Sequence, residues 1–262
     1  MVMIKEQLLS LYNRARYHIF VPLRNRAIGL FAFMLKKRVV TIHWGNSFVR
    51  GLKLRGRYAF FMGEPSEQEF FEHLSLRGDV VYDIGAYIGL YTAAFSRAVG
   101  EAGKVVAFEV NPETVRELQD TLALNNCTNV RVVPHGVSDI PRVDTLVACV
   151  DAAGTSSLDP RIRGRLQKES STVEVMVNLQ PLSYYIAMEL LPMPTFVKID
   201  VEGFECQVLE GMRSVIRDAH PRFYIEIHGV DTAQKRENAT WVVGFLKEYG
   251  YSIFHIEKQI QI

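Results

Sequence analysis

The stretch VVYDIGAYIGLYT, residues 80–92, decides the fold class. An apolar run closes on Asp83, two glycines follow four residues apart, and apolar residues then recur at helical spacing. This is the pattern of a buried strand, a glycine turn and a helix. Such a strand delivers its turn to the carboxyl edge of the sheet, where open α/β folds bind ligands. Gly85 lets the backbone bend without a Cβ and lets a ligand approach closely. Gly89 removes bulk where the helix packs near the strand. The turn is not G-x-G-x-x-G, because the first glycine of that fingerprint is missing and an acid precedes the bend. A loop built for pyrophosphate needs free N–H groups and positive potential. Asp83 favours a ligand that carries cations, and S-adenosylmethionine, with a sulfonium, an ammonium and no phosphate, fits.

Outward from this unit, strand and helix alternate. KVVAFEV (104–110) reads as a second strand, and a helix follows from Pro112. VRVVPHGVS (130–138) reads as a third strand, TFVKID (195–200) as a fourth and RFYIEIHG (222–229) as a fifth. Helices are predicted over 181–190, 204–216 and 233–249, and a last strand over 251–256. The expectation is a doubly wound, mostly parallel, Rossmann-like α/β sheet; if its order is 3-2-1-4-5, Lys198 and Asp200 of the fourth strand lie next to the glycine turn. Residues 139–180 break the rhythm and read as an insertion, a hairpin-like excursion with a mobile polar tip over GTSSLDPRIRGRLQKES (154–170).

The strand ends carry the chemistry. Glu109 ends the second strand about 20 residues after the glycine turn, where a carboxylate can accept both ribose hydroxyls. Asn111 follows as a helix N-cap, and Ser138 and Asp139 end the third strand, where an adenine edge would lie. Lys198, Asp200 and Glu202 gather at the fourth strand end, Glu226 and His228 at the fifth. Burying so many ionisable groups at one edge without function would be costly. For taking a proton from an acceptor group, His228 is the first candidate, its reference pKa of about 6.5 suiting neutral pH; His135 is the second. No metal is assigned, although Asp200 with Glu226 or His228 would offer ligands to a divalent ion that orients and acidifies a hydroxyl. Ser156, Ser157, Arg161, Arg163, Arg165 and Lys168 in the insertion either contact an anionic or polyhydroxylated acceptor or form a solvated loop.

The 262 residues carry a net charge of +1, but unevenly. Residues 1–60 hold 12 Lys and Arg against the single acid Glu6, whereas the remainder is acidic. The same segment is apolar: Ile4, Leu8, Leu11, Tyr12, Ala15 and Ile19 recur at helical spacing, and AIGLFAFML (27–35) is flanked by bases. Nine residues are too few to span a bilayer, which takes about 20, and no small-residue cleavage site follows. Two readings stand: a helix that packs on the body as a lid, or one that lies at an anionic membrane surface through residues 1–40. Cys127, Cys149 and Cys206 lack metal-type spacing, as expected of reduced thiols in a cytoplasmic protein, free or peripheral at the membrane. The organisation read is a basic amphipathic extension over 1–60 and a cofactor-binding domain over 61–262.

The chain resembles the FkbM-type S-adenosylmethionine-dependent methyltransferases. The pieces that carry the resemblance are DIGAYIGLYT (83–92), VVAFEVNPETVRELQ (105–119), HGVSD (135–139), GTSSL (154–158), VKIDVEGFECQVLEGM (197–212) and FYIEIHG (223–229), in the family's order. The resemblance implies a class I methyltransferase fold that binds S-adenosylmethionine, releases S-adenosylhomocysteine and methylates a hydroxyl of a sugar, polyketide or related small metabolite or glycan. It implies that Asp83, Gly85, Ala86, Gly89 and Thr92 line the methionine end, that Glu109 holds the ribose, and that Ser138 and Asp139 meet the adenine. Asp200 would face the cofactor amine or the substrate, with Glu226 and His228 beside it, and Glu67 or Glu69 would lie near the cofactor. Where the family commonly has a Leu-Asp-Asp-like segment, this chain reads VNLQPLSYY, and it ends at Ile262, barely long enough for the last hairpin of a seven-stranded sheet. A nicotinamide-dependent oxidoreductase is disfavoured by the glycine spacing and Asp83. A nucleic-acid methyltransferase is disfavoured by the acidic body, despite the basic N-terminus.

Overall fold

A computed structural model describes residues 39–44, 47–53, 69–71, 73–150, 155–256, 258 and 260–262. The amphipathic pattern of residues 4–19, the apolar run 27–35 and Glu67 lie outside the described residues.

The elements, in chain order, begin with an antiparallel pair, β1 (Val39–Trp44) and β2 (Ser47–Lys53). This pair falls inside the stretch read as an amphipathic extension. The nucleating unit follows as β3 (Val80–Ile84) and α1 (Leu90–Val99), then β4 (Lys104–Phe108), α2 (Pro112–Leu124) and β5 (Val130–Val133). A second sheet comes from β6 (Gly136–Val137), β7 (Arg142–Cys149), β8 (Ser156–Ser157) and β9 (Thr172–Gln180), with α3 (Pro160–Glu169) between β8 and β9. The alternation resumes with α4 (Leu182–Glu189), β10 (Phe196–Ile199), α5 (Glu205–Glu210), α6 (Arg213–Ala219), β11 (Arg222–Ile225) and α7 (Thr232–Glu248). A short antiparallel pair, β12 (Phe254–His255) and β13 (Ile260–Gln261), ends the chain.

The central sheet is parallel throughout, in the order β11-β10-β3-β4-β5, which meets the condition for Lys198 and Asp200 to lie next to the glycine turn. Its middle strands are covered on both faces. Residues Phe196–Ile199 are all buried, as are Val81, Tyr82, Asp83 and Ile84. This explains why they read as continuous apolar runs rather than as alternation. Helix α2 starts where its sequence says: Pro112 occupies the first turn, and Asn111 caps it by accepting the Glu113 N–H at 3.0 Å. Its buried Val115, Leu118 and Leu122 recur at helical spacing and face the sheet.

Three expectations change. The third strand is not one piece, because β5 stops at Val133 and β6 belongs to the second sheet. Pro134 lies between them and has no N–H to continue a ladder. The insertion is a strand pair, β7 with β9, joined in part by helix α3 rather than by a mobile tip. Asp159 caps α3 by accepting the N–H groups of Arg161 and Ile162, each at 2.9 Å, and Ile162 and Leu166 pack on Val147. Arg163 donates to Asp144, Arg165 to the Val230 carbonyl and Arg161 to Glu237, so those three bases anchor the helix. The strand expected over 251–256 shrinks to β12, which pairs with β13 outside the central sheet. Among the described residues no helix is long and apolar enough to cross a membrane.

Candidate functional site

Because β3, β4, β10 and β11 all run the same way, their carboxyl ends meet on one edge. A cavity of about 350 Å³ opens there. The glycine turn supplies Gly85, Ala86 and Tyr87, the end of β4 supplies Glu109, and the end of β10 supplies Asp200 and Glu202. His135, Gly136 and Val137 form another wall, and Leu146, Ser156 and Phe204 close it from the second sheet and the loop after β10.

The turn is held by its neighbours. The N–H groups of Gly85 and Ala86 both donate to the Phe108 carbonyl at 3.0 Å. Gly85 has φ +85°, and a Cβ there would stand 1.8 Å from the Asp200 carbonyl oxygen. The missing side chain therefore admits the end of β10, a tighter reason for glycine than ligand access. Gly89, also left-handed, makes room for Leu118 of α2 rather than for the strand.

Glu109 is buried and lies in the cavity wall. Its Oε2 accepts the Tyr87 N–H at 2.9 Å and its Oε1 the Asn111 N–H at 2.8 Å, so Asn111 positions it as well as capping α2. A carboxylate offers about four acceptor sites, so these two donors do not exhaust it. Burial raises its pKa to about 7, even though backbone donors from Asn111, Tyr87 and Val110 favour the ionised form.

Behind the turn, Asp83 is fully buried. The Thr92 hydroxyl donates to its Oδ2 at 2.6 Å, while Oδ1 has no hydrogen-bond partner and faces Lys198 Nζ at 4.0 Å. Burial raises the Asp83 pKa, outweighing Lys198 and Thr92. Lys198 is itself 1% exposed, pairs with Asp200 Oδ2 at 3.0 Å and lies 4.5 Å from the Tyr91 ring centre. Burial alone would lower its pKa, but Asp200 and Asp83 reverse that and hold it above the usual value.

A second ionisable group gathers around His228. Its Nδ1 lies 3.1 Å from Oε1 of Glu205, and its Nε2 lies 3.3 Å from Glu226 Oε1 and 4.0 Å from both Asp200 Oδ1 and Glu202 Oε2. Burial would lower the His228 pKa, but hydrogen bonds to Glu205 and Glu226 and the fields of Glu202 and Asp200 push it up to about 11. At neutral pH this imidazole already holds its proton, which alters the simple expectation of His228 as a proton acceptor. Burial and the neighbouring carboxylates raise Glu202 to about 7, against the lowering effect of His228.

The sequence-predicted residues thus fall into four groups. Gly85, Ala86, Glu109 and Asp200 line the cavity. Asp83, Gly89, Thr92 and Asn111 stand behind it and hold the lining in place. Glu226 and His228 adjoin it through Asp200 and Glu202. Ser138 and Asp139 are not among the lining residues: the Ser138 hydroxyl donates to Asp139, which also binds Arg142. The chain has by then turned into the second sheet, so the wall is built two to three residues earlier, by His135–Val137. Of the adjacent serines Ser156 and Ser157, the first lines the cavity, and the second is buried with its hydroxyl on the Glu202 carbonyl at 2.6 Å. Glu69 is exposed.

Glu205 carried no assigned role in the sequence. An acid in the first turn of a helix reads as a partner of the helix dipole, and nothing local links it to a histidine 23 positions away.

The cavity chemistry suits a cationic adenosyl ligand. Among the described residues its lining carries Glu109, Asp200 and Glu202, no arginine, and one lysine already committed to Asp200. Pyrophosphate would meet repulsion there. The buried Asp83 Oδ1, without a hydrogen-bond donor, adds negative potential behind the turn.

The model of the methyltransferase FkbM domain matches residues 83–253. The hexuronic acid methyltransferase AglP of Haloferax volcanii is 28% identical over 158 residues, 58% of each chain. This chain therefore spans little more than half the length of that relative. Among solved structures, the methyltransferase FkbM of Methylobacillus flagellatus is 17% identical with a TM-score of 0.47, covering 68% of this chain and 39% of its own. The fibrillarin of Aeropyrum pernix, in complex with natively bound S-adenosyl-L-methionine, is 14% identical with a TM-score of 0.42, covering 72% of this chain and 66% of its own.

Proposed function

The chain belongs to the FkbM methyltransferase family, and on that footing we propose that it methylates a hydroxyl of a sugar or sugar-like metabolite. The observation that carries this reading is the carboxylate–imidazole cluster of Asp200, Glu202, Glu226 and His228 beside the glycine-turn cavity. Such a cluster suits a polyhydroxylated acceptor better than an apolar one. The hexuronic acid named for the Haloferax relative points the same way.

S-adenosylmethionine, when bound, supplies a methyl carbon made electrophilic by its sulfonium. Glu109 would accept the ribose hydroxyls with the lone pairs its backbone donors leave free. Gly85 and Ala86 would line the methionine end, with Asp83 behind them answering its ammonium. His135, Gly136 and Val137 would flank the adenine. Asp200 and Glu202 would hold the acceptor hydroxyl, whose proton leaves into the cluster they form with Glu226 and His228.

Two measurements test this. Calorimetry with S-adenosylhomocysteine and with NAD should give binding of the first only. Transfer of labelled methyl to a panel of uronic acids, neutral sugars and aliphatic alcohols should favour the first two. Absence of S-adenosylhomocysteine binding by folded protein would refute the cofactor assignment, and equal labelling of aliphatic alcohols would refute the acceptor class.

A further inference from the structure

We propose that the rim of this cavity is a divalent-cation site of the Mn²⁺ type, with His228 Nε2, Asp200 and Glu226 as its protein ligands. One nitrogen and two carboxylate oxygens of these residues lie within 4.8 Å of one another. Ligand atoms about 2.2 Å from a shared six-coordinate cation stand about 3 Å apart when adjacent and about 4.4 Å apart when opposed. The separations of Nε2 from Glu226 Oε1, 3.3 Å, and from Asp200 Oδ1, 4.0 Å, fall in that span.

Two features aim these atoms. Asp200 answers Lys198 through Oδ2, which leaves Oδ1 turned to the imidazole. On binding, His228 Nε2 releases its proton to solvent, while Nδ1 keeps its own for Glu205 Oε1 at 3.1 Å, the outer-carboxylate support that metal-binding histidines commonly have.

Glu205 supplies an independent observation, a buried carboxylate oxygen beside this set that no donor reaches. It is fully buried and takes no part in the ligand set. Its Oε1 receives the Gly203 N–H and faces His228, while Oε2 is buried without any hydrogen-bond partner. A buried carboxylate left half unsatisfied is costly unless a nearby cation compensates it. Four carboxylates, those of Asp200, Glu202, Glu205 and Glu226, surround this one imidazole. One imidazole with carboxylates is a mixed nitrogen–oxygen set without thiolate, better suited to Mn²⁺ than to Ca²⁺ or a soft metal. The site exists independently of methyl transfer. Its role rests on the reading above: beside the cavity, the cation would bind the acceptor oxygen and acidify its hydroxyl.

The test uses tag-free full-length protein, stripped with EDTA and desalted, titrated with MnCl₂ while free Mn²⁺ is followed by electron paramagnetic resonance. S-adenosylhomocysteine binding is measured on the same samples. One saturable Mn²⁺ per chain is expected. Glu226→Gln, at a half-exposed position, and His228→Gln should each weaken it about 10-fold or more, and Glu205→Gln about 10-fold. Binding of S-adenosylhomocysteine should persist in all three variants and report that they are folded. Absence of saturable Mn²⁺ binding, or unchanged affinity in both Glu226→Gln and His228→Gln, overturns the site. If S-adenosylhomocysteine binds while Mn²⁺ does not, the cation site falls and the methyltransferase reading stands. If only Mn²⁺ binds, the reverse holds.

Discussion

Replacing Lys198 with methionine keeps the length of the stem and removes the ammonium that faces both Asp83 and Asp200. At separations of 4.0 and 3.0 Å each attraction is about 4–6 kcal/mol at an effective dielectric of about 20. Most of that offsets the desolvation of three buried charges, so the sum is not the stability lost. Breaking a buried pair from one side costs about 3–5 kcal/mol, because the partner is left uncompensated. Asp200 is 26% exposed on its side chain and can regain water, whereas Asp83 is 0% exposed and cannot. The lower end, about 3 kcal/mol, is therefore expected. For a chain of this size that corresponds to a fall in Tm of about 6–12 °C. The assay is urea unfolding followed by fluorescence, with the double variant Lys198→Met/Asp83→Asn as the decisive sample. Neutralising Asp83 should restore at least half of the loss, since the penalty resides in its stranded charge. A single variant within about 0.5 kcal/mol of the parent, or a double variant less stable than the single one, would refute the reasoning.

Glu109, whose pKa burial raises to about 7, should make cofactor affinity pH-dependent. Its acceptor form is the carboxylate, so S-adenosylhomocysteine should bind up to about 10-fold tighter at pH 8 than at pH 6, with the slope absent in Glu109→Gln. In the free protein the sign reverses: a raised acid stabilises the fold below its unfolded pKa, and that contribution is lost as pH rises through about 7. Thermal unfolding should therefore show declining stability from pH 5 to 8, less steeply in Glu109→Gln. Gly85→Ala puts a Cβ 1.8 Å from the Asp200 carbonyl oxygen at φ +85° and should cost about 3 kcal/mol or more; a loss under 1 kcal/mol in urea titration would contradict the packing. His228→Ala should retain S-adenosylhomocysteine binding and lower turnover about 100-fold, and unchanged turnover would remove His228 from the chemistry.

The central sheet was legible because its signals are local. Continuous apolar runs ending in acids or glycines mark buried parallel strands, and Asn111-Pro112 marks a helix start through the chemistry of two adjacent residues. The second sheet was less legible: the polar stretch 159–170 hides a helix whose two buried anchors, Ile162 and Leu166, are outnumbered by bases that bind other elements. Within the site, Asp83, Gly85, Glu109, Asp200, Glu226 and His228 could be picked out by position at strand ends. Their partners could not.

By itself the sequence determined the alternation of strand and helix, the strand ends on which the ionisable groups collect, and the preference for a cationic ligand over pyrophosphate. Those follow from periodicity, the handedness of crossovers and the residue types at strand ends. Only the tertiary structure decided that Gly85 is required by the Asp200 carbonyl, that His135–Val137 rather than Ser138 and Asp139 form the far wall, and that Glu205 stands behind His228. Each of these depends on contacts between residues far apart in the chain. Burial raises the pKa of Glu109, whereas the carboxylates packed around His228 raise its pKa against burial, and both environments are properties of the packed whole.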